Sequence, residues 1–92
     1  MDITTLLSKK FDITIEEYFS LPEKSKNEIT NIIMVNYNEV LTSDFTLIYL
    51  YIYSIEEMIV DSRKYEEYEK CDILIRLKNK LIRRIETIEQ LV

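Results

Sequence analysis

The sequence of 92 residues contains no glycine, no histidine, no tryptophan and no alanine. Without glycine, the chain cannot form the glycine-rich loops that hold phosphates or the nucleophile elbow of hydrolases. Without histidine, it lacks the imidazole group that serves most often in acid–base catalysis and in zinc binding. The composition therefore predicts that the protein is not an enzyme and that it holds no cofactor and no metal.

Proline and cysteine occur once each, as Pro22 and Cys71. A single cysteine cannot form an internal disulfide, so we expect a protein of a reducing compartment, the cytoplasm. The neighbours of Cys71 do not form an electropositive environment, which favours a buried, unreactive thiol. The start of the chain lacks the features of a signal peptide, and the longest apolar run, residues 45–55, is too short to cross a bilayer. We expect no contact with membranes.

Isoleucine occurs fifteen times, apolar residues make up 47% of the chain and charged residues 32%. This balance predicts a folded protein, and the length fits a single domain over residues 1–92. A domain of this size has a small core, so self-association to a homodimer is one expectation. The net charge of −5 makes nucleic acid an unfavourable partner. The high isoleucine, lysine and asparagine content indicates an AT-rich genome, such as that of a low-GC bacterium or its phage.

Short polar residues mark the first two helix starts. Asp2 precedes apolar residues at helical spacing and predicts a short helix that ends near residue 10. Thr14 and Glu17 have the spacing of a capping box, in which each side chain accepts a hydrogen bond from a free backbone N–H of the other residue. The sequence therefore predicts a second short helix over residues 15–20.

The next two helices are predicted from Pro22 and Asp44. Proline suits the first position of a helix because its fixed φ is helical and its missing N–H would have had no partner. We expect an amphipathic third helix over residues 22–41 and a fourth that begins near Asp44. Residues 45–53 are β-branched and aromatic, as in a buried strand. Apolar residues at alternating spacings of three and four continue beyond this run, which favours a helix: Phe45, Ile48, Ile52, Ile55 and Ile59.

The last helix has the clearest amphipathic pattern, over residues 65–91. The turn before it is predicted at Ser62-Arg63-Lys64, and so short a turn makes the two helices antiparallel. The predicted fold is an all-α helical bundle with two short N-terminal helices, a middle helix and a long C-terminal antiparallel hairpin.

The C-terminal hairpin resembles the UVR-type helical hairpin, a motif of protein interaction. The matching string is Tyr68-Glu69-Lys70-Cys71-Asp72-Ile73-Leu74. Asp72 stands where the motif has a second small residue, and the motif's Arg-Asp pair after the leucine is missing. The resemblance implies that the hairpin docks onto another protein and performs no catalysis.

Four basic residues lie along one flank of the last helix and are called here the basic strip: Arg76, Lys80, Arg83 and Arg84. Residues 75–92 carry five basic and two acidic side chains, whereas residues 1–62 carry four basic and eleven acidic ones. One interpretation is a binding site for phosphate or for an acidic protein surface. The other is a solvated surface that suits the helix dipole and pairs with the chain's own acids, such as Glu39 or Asp44.

Three tyrosines, Tyr49, Tyr51 and Tyr53, crowd the fourth helix, which is apolar on nearly all sides. Tyrosine is favoured in interfaces because it brings a large area at low entropy cost and retains a polar tip. These residues are therefore candidates either for an interface or for the core. In an antiparallel hairpin they would also neighbour Arg76, Lys80 and Arg83. Such a combination forms either a site for a nucleotide or phosphate or a structural stack of guanidinium groups on the rings.

The function that the sequence favours is a non-catalytic protein-binding module. In its most specific form, the protein is a phage or mobile-element accessory protein that inhibits or redirects a host factor, for example an anti-defence protein. One alternative is a small-ligand binder that sequesters a nucleotide or another phosphate compound. A second alternative is a structural subunit.

Overall fold

The computed structural model describes residues 1–90, which form five α-helices and no β-strand. The helices are α1 (Ile3–Phe11), α2 (Ile15–Ser20), α3 (Glu23–Val40), α4 (Phe45–Lys64) and α5 (Tyr68–Gln90). The predicted all-α bundle with a long C-terminal hairpin is confirmed, and residues 45–53 are helical. The predicted end of the last helix, Leu91, lies outside the described residues.

The polar residues that predicted helix starts are the caps of those helices. Asp2 and Asp44 each accept a hydrogen bond from a backbone N–H in the first turn, of α1 and α4 respectively. Thr14 and Glu17 form the complete capping box of α2. Pro22 has an extended ψ of 151° and precedes α3, so that helix begins one residue later than predicted.

Two helices end in a left-handed residue although the chain has no glycine to adopt this conformation. Asp12 follows α1 with φ of 54°, and Glu66 follows α4 with φ of 59°. At the end of α4, Glu67 N donates to Ser62 O at 2.8 Å and Glu66 N donates to Arg63 O at 3.1 Å. This is the Schellman pattern, and it normally places glycine where Glu66 stands.

The predicted turn at residues 62–64 is wrong, because these residues form the last turn of α4 and the connection to α5 is residues 65–67. Ser62 is fully buried, and its hydroxyl donates to Ile59 O at 2.7 Å. A serine whose hydroxyl is satisfied by its own helix does not end that helix. The hairpin is therefore longer on its α4 side than the sequence indicated.

Helix α4 lies at the centre of the bundle and packs against each of the other four helices, most closely against α5. Its buried face includes Ile48, Tyr51, Ile55 and Met58, and the core contains residues from every helix. Cys71 is part of this core, as predicted. Within residues 1–90, no helix combines the length and the apolar character needed to cross a membrane.

Candidate functional site

The three crowded tyrosines of α4 divide between the core and the surface. Tyr51 is fully buried, and its hydroxyl donates to Ile33 O at 3.3 Å. Burial raises the pKa of Tyr51, as expected for a phenol removed from water. Tyr49 and Tyr53 are 41% and 66% exposed. Tyr51 is therefore a core residue and not a binding residue, whereas Tyr49 and Tyr53 remain candidates.

Tyr49 and Tyr53 line a groove between α4 and α5 that we call the α4/α5 groove. Its volume is about 350 Å³. The apolar part of its lining is completed by Ile52 of α4 and by Ile82 and Ile85 of α5. Phe45 packs against Tyr49, with the centroids of the two rings 5.0 Å apart, and this contact helps to hold the Tyr49 side chain in place. The groove thus presents two exposed aromatic rings around an aliphatic floor.

Three carboxylates complete the lining of the α4/α5 groove: Glu56, Glu86 and Glu89. All three are exposed. Within residues 1–90, the ion pair formed by these carboxylates joins Glu56 to Lys78, whose Nζ lies 3.9 Å from Glu56 Oε1. The ion pairs formed within residues 1–90 include none from Glu86 or Glu89. The groove is therefore apolar at its floor and acidic at its edge.

The basic strip lies on the other side of α5, and all four of its side chains are exposed. Lys80, Arg83 and Arg84 line a shallow depression together with Thr87 and with residues 41–42 at the end of α3. The strip makes no ion pair with Glu39 or Asp44, or with any other acid within residues 1–90. The expected pairing with the chain's own acids is therefore not observed in the described part of the chain.

The groove lined by Tyr49 and Tyr53 is not lined by any residue of the basic strip. Ile82, which faces Tyr49 and Tyr53, and Arg84 are two residues apart on α5, and such residues point to roughly opposite sides of a helix. The acids Glu86 and Glu89 stand where the antiparallel hairpin was expected to place cations. The register of the two helices, which the sequence did not fix, separates the two candidate surfaces.

The structure shows a second exposed apolar patch, which was not singled out from the sequence. Val35 is 62% exposed, and it lies beside Ile32 and Met1 between α1 and α3. The signal in the sequence was the spacing of Ile32 and Val35, which lie off the stripe formed by Ile29, Ile33 and Tyr37. No aromatic side chain of the described residues lines this patch, whereas Tyr49 and Tyr53 line the α4/α5 groove.

Sequence reasoning also missed a buried ionic network that joins α3 to the start of α5. Lys26 Nζ donates to Glu67 Oε1 at 2.9 Å, and Lys70 Nζ donates to the same oxygen at 3.1 Å. Both lysines also contact Glu23, at 3.4 and 3.2 Å. The Lys26 side chain is only 9% exposed and that of Glu67 18%. No single-residue pattern distinguishes Lys26 from the exposed Lys24, so only the tertiary structure reveals this network.

The network shifts the pKa values of Glu67 and Lys26 in the directions that favour their charged forms. Burial opposes the charge of Glu67, but hydrogen bonds from Lys26 and Lys70 outweigh this effect and lower its pKa. The hydrogen bond to Glu67 raises the pKa of Lys26 above its ordinary value, against the effect of burial. These shifts come from structural ion pairs, and the network therefore acts as a link between helices.

Within residues 1–90, no three or more carboxylate or thiol groups are placed together as ligands for a metal ion. Comparisons of the chain with models of protein families, with curated proteins and with solved structures find no match. Two surfaces of the described residues have a distinct chemistry, the α4/α5 groove and the basic strip.

Proposed function

We propose that the protein is a non-catalytic binding module that recognises another protein through the α4/α5 groove. The observation that carries the proposal is the exposure of Tyr49 and Tyr53 around an apolar floor between two packed helices. Exposed tyrosines beside an apolar depression are the composition typical of the energetic centre of protein interfaces.

The groove also has the rigidity that a binding surface needs. Its walls are α4 and α5, which form the closest helix pair of the bundle. Side chains on packed helices lose less freedom on binding than side chains on loops, so less of the interaction energy is spent on ordering them. The resemblance of the hairpin to the UVR type implies docking onto a protein but does not specify the groove, because the matching string, residues 68–74, lies outside its lining.

Site-specific photo-crosslinking in the producing cell tests this proposal. A photoreactive amino acid at position 53 is expected to form a covalent product with one identifiable protein. The matched control is position 68, because Tyr68 is 61% exposed, close to the 66% of Tyr53, but lies at the start of α5. The same product from both positions, or no product from position 53, would contradict the proposal.

The nature of the partner and the origin of the chain stay predictions from composition. We propose that the partner is a host factor that a phage or mobile-element protein inhibits or redirects in the cytoplasm. Identification of the crosslinked protein tests this directly, since the alternative of a structural subunit requires a partner from the same particle or a second copy of the chain.

A second candidate function, binding of a phosphate compound, is favoured by the basic strip. Lys80, Arg83 and Arg84 line one depression, and hydroxyl groups of Thr42 and Thr87 lie beside them. Guanidinium and hydroxyl groups are common ligands of phosphate. A thermal-shift screen of nucleotides tests this function, and the simultaneous change of Lys80→Ala and Arg83→Ala, two residues that line the depression, should abolish any stabilisation. Stabilisation that survives this change would place the ligand elsewhere.

A further inference from the structure

We propose that the occupant of the α4/α5 groove is a basic amphipathic helix of the partner protein. This inference rests on the proposed function and specifies the chemistry of the partner. The partner helix would place apolar side chains on the floor of the groove, against Ile52, Ile82 and Ile85. Its lysine or arginine side chains would lie beside the acidic edge.

The first argument is charge complementarity. The lining contains three carboxylates, and Lys78 lies close to only one of them, Glu56. An acidic partner would bring like charges together at the edge of an apolar contact, where they are costly. A neutral partner would leave Glu86 and Glu89 beside a newly buried surface without compensation. Of the three kinds of partner, only a basic one compensates these charges.

The second argument is the shape of the exposed surface on α4. Tyr49, Tyr53, Glu56 and Val60 stand at positions i, i+4, i+7 and i+11, which fall on one stripe of a helix. Val60 is 63% exposed and extends the apolar character of the stripe beyond the groove. A stripe over eleven residues is about 16 Å long, or about three helical turns. A partner helix lying along it can place anchors at the i, i+4 and i+7 spacing of helix-in-groove recognition.

The third argument excludes a second copy of this chain as the occupant. In a symmetric dimer through the groove, both copies would present the same acidic lining, so that the carboxylates of two grooves would meet at one interface. An asymmetric contact, in which the basic strip of another copy enters the groove, is also unfavourable. The apolar face of α5, which would have to contact the floor of the groove, is already buried in its own bundle. The large exposed apolar residues of α5 are Tyr68 and Ile73, near its start, and Arg76 is the strip residue that lies close to them. The other three residues of the strip have no large exposed apolar neighbour within residues 68–90, so most of the strip offers cations without the apolar anchors that the floor of the groove requires.

Two synthetic peptides of about four helical turns test the inference. Both carry leucine at i, i+4, i+7 and i+11, and they differ only in having lysine or glutamate at the flanking positions. We expect the lysine peptide to bind at least about tenfold more tightly than the glutamate peptide at low salt, measured by fluorescence anisotropy. This ratio should fall as the ionic strength rises, since exposed charges are screened.

Paired variants locate the binding. Tyr49→Ala with Tyr53→Ala should weaken binding of the lysine peptide by at least about tenfold, whereas Tyr68→Ala should leave it unchanged. Glu86→Gln with Glu89→Gln should weaken it, whereas Glu28→Gln with Glu69→Gln should not. The two glutamate pairs change the net charge equally, so the comparison separates local from overall charge. All these side chains are exposed, and circular dichroism confirms that each variant is folded.

Equal affinity for the two peptides, absence of binding to the lysine peptide, or equal effects of the two glutamate pairs would each overturn the inference. The proposed function fails separately, through the crosslinking experiment. If position 53 crosslinks to a partner while the lysine peptide does not bind, the protein is a binding module whose partner has another chemistry.

Discussion

The ionic network between α3 and α5 gives the sharpest prediction about stability. The change Glu67→Gln keeps the size of the side chain and one oxygen acceptor but removes the charge that Lys26 and Lys70 share. The lysines then retain only Glu23, whose side chain is 64% exposed. We expect the free energy of unfolding to fall because an ammonium group that is 9% exposed loses its closest counter-ion.

The size of this loss follows from the burial of the pair. Removing one partner of a fully buried ion pair costs about 3–5 kcal/mol. The cost here should be smaller, about 2 kcal/mol, because both lysines keep Glu23 and hydrogen bonds to charged groups contribute about 1.5–3 kcal/mol each. For a domain of this size, this corresponds to a fall in Tm of roughly 10 °C.

The matched control is Glu16→Gln, which breaks another pair between helices. Lys64 Nζ lies 3.2 Å from Glu16 Oε1, but the two side chains are 59% and 62% exposed. Such a surface pair contributes less than about 1 kcal/mol. Urea unfolding followed by circular dichroism measures both variants. If Glu67→Gln costs no more than Glu16→Gln, the reasoning from burial is refuted.

The pH dependence gives an independent check on the same carboxylate. Since the pKa of Glu67 is lower in the folded state, its contribution is fully present above its unfolded value, 4.5. The contribution is lost as the pH falls through the lower folded-state pKa, where Glu67 takes up a proton. The difference between the wild type and Glu67→Gln should therefore be constant near neutral pH and shrink below about pH 4.5. A difference that grows on acidification would contradict this assignment.

Three further changes test other parts of the fold. Glu66→Gly should stabilise the protein by about 0.5–1 kcal/mol, because glycine adopts the left-handed conformation without the steric cost that glutamate bears. A fall in Tm would contradict this prediction. Tyr37→Phe should lower the free energy of unfolding in urea by about 1 kcal/mol, because it removes the 3.0 Å hydrogen bond from the Tyr37 hydroxyl to Leu77 O that joins α3 to α5. An unchanged free energy of unfolding would mean that water replaces this bond. Asp44→Ala should cost about 1 kcal/mol by removing the cap of α4, whereas Asp44→Asn should retain most of it.

Local features of the sequence determined where α1, α2 and α4 begin and which kind of fold the helices form, whereas α5 begins at Tyr68, three residues later than predicted. The side chains of Asp2, Thr14 and Asp44 bond backbone groups within three residues, so their effect does not depend on the rest of the molecule. The spacing of apolar residues likewise indicated helices, including the ambiguous residues 45–53. Ser62 shows the limit of such reasoning. A serine can end a helix, or it can stay inside one when its hydroxyl bonds a carbonyl of the same helix, as Ser62 does, and the local sequence does not distinguish the two cases.

The candidate site depended on relations between helices that the sequence does not contain. Composition drew attention to the tyrosines of α4, but only the packing of the helices buried Tyr51 and left Tyr49 and Tyr53 exposed. The register of the same pair placed Glu86 and Glu89, rather than the basic strip, beside those rings.

The absence of alanine, together with fifteen isoleucines, determined that the helices must be held by burial, since their intrinsic helix propensity is modest. Which faces are buried, and therefore which groove remains open, was decided by the tertiary structure. The physical reason is range: caps and helical periodicity act over a few residues, whereas Lys26 and Glu67 are 41 positions apart and meet only when α3 and α5 pack.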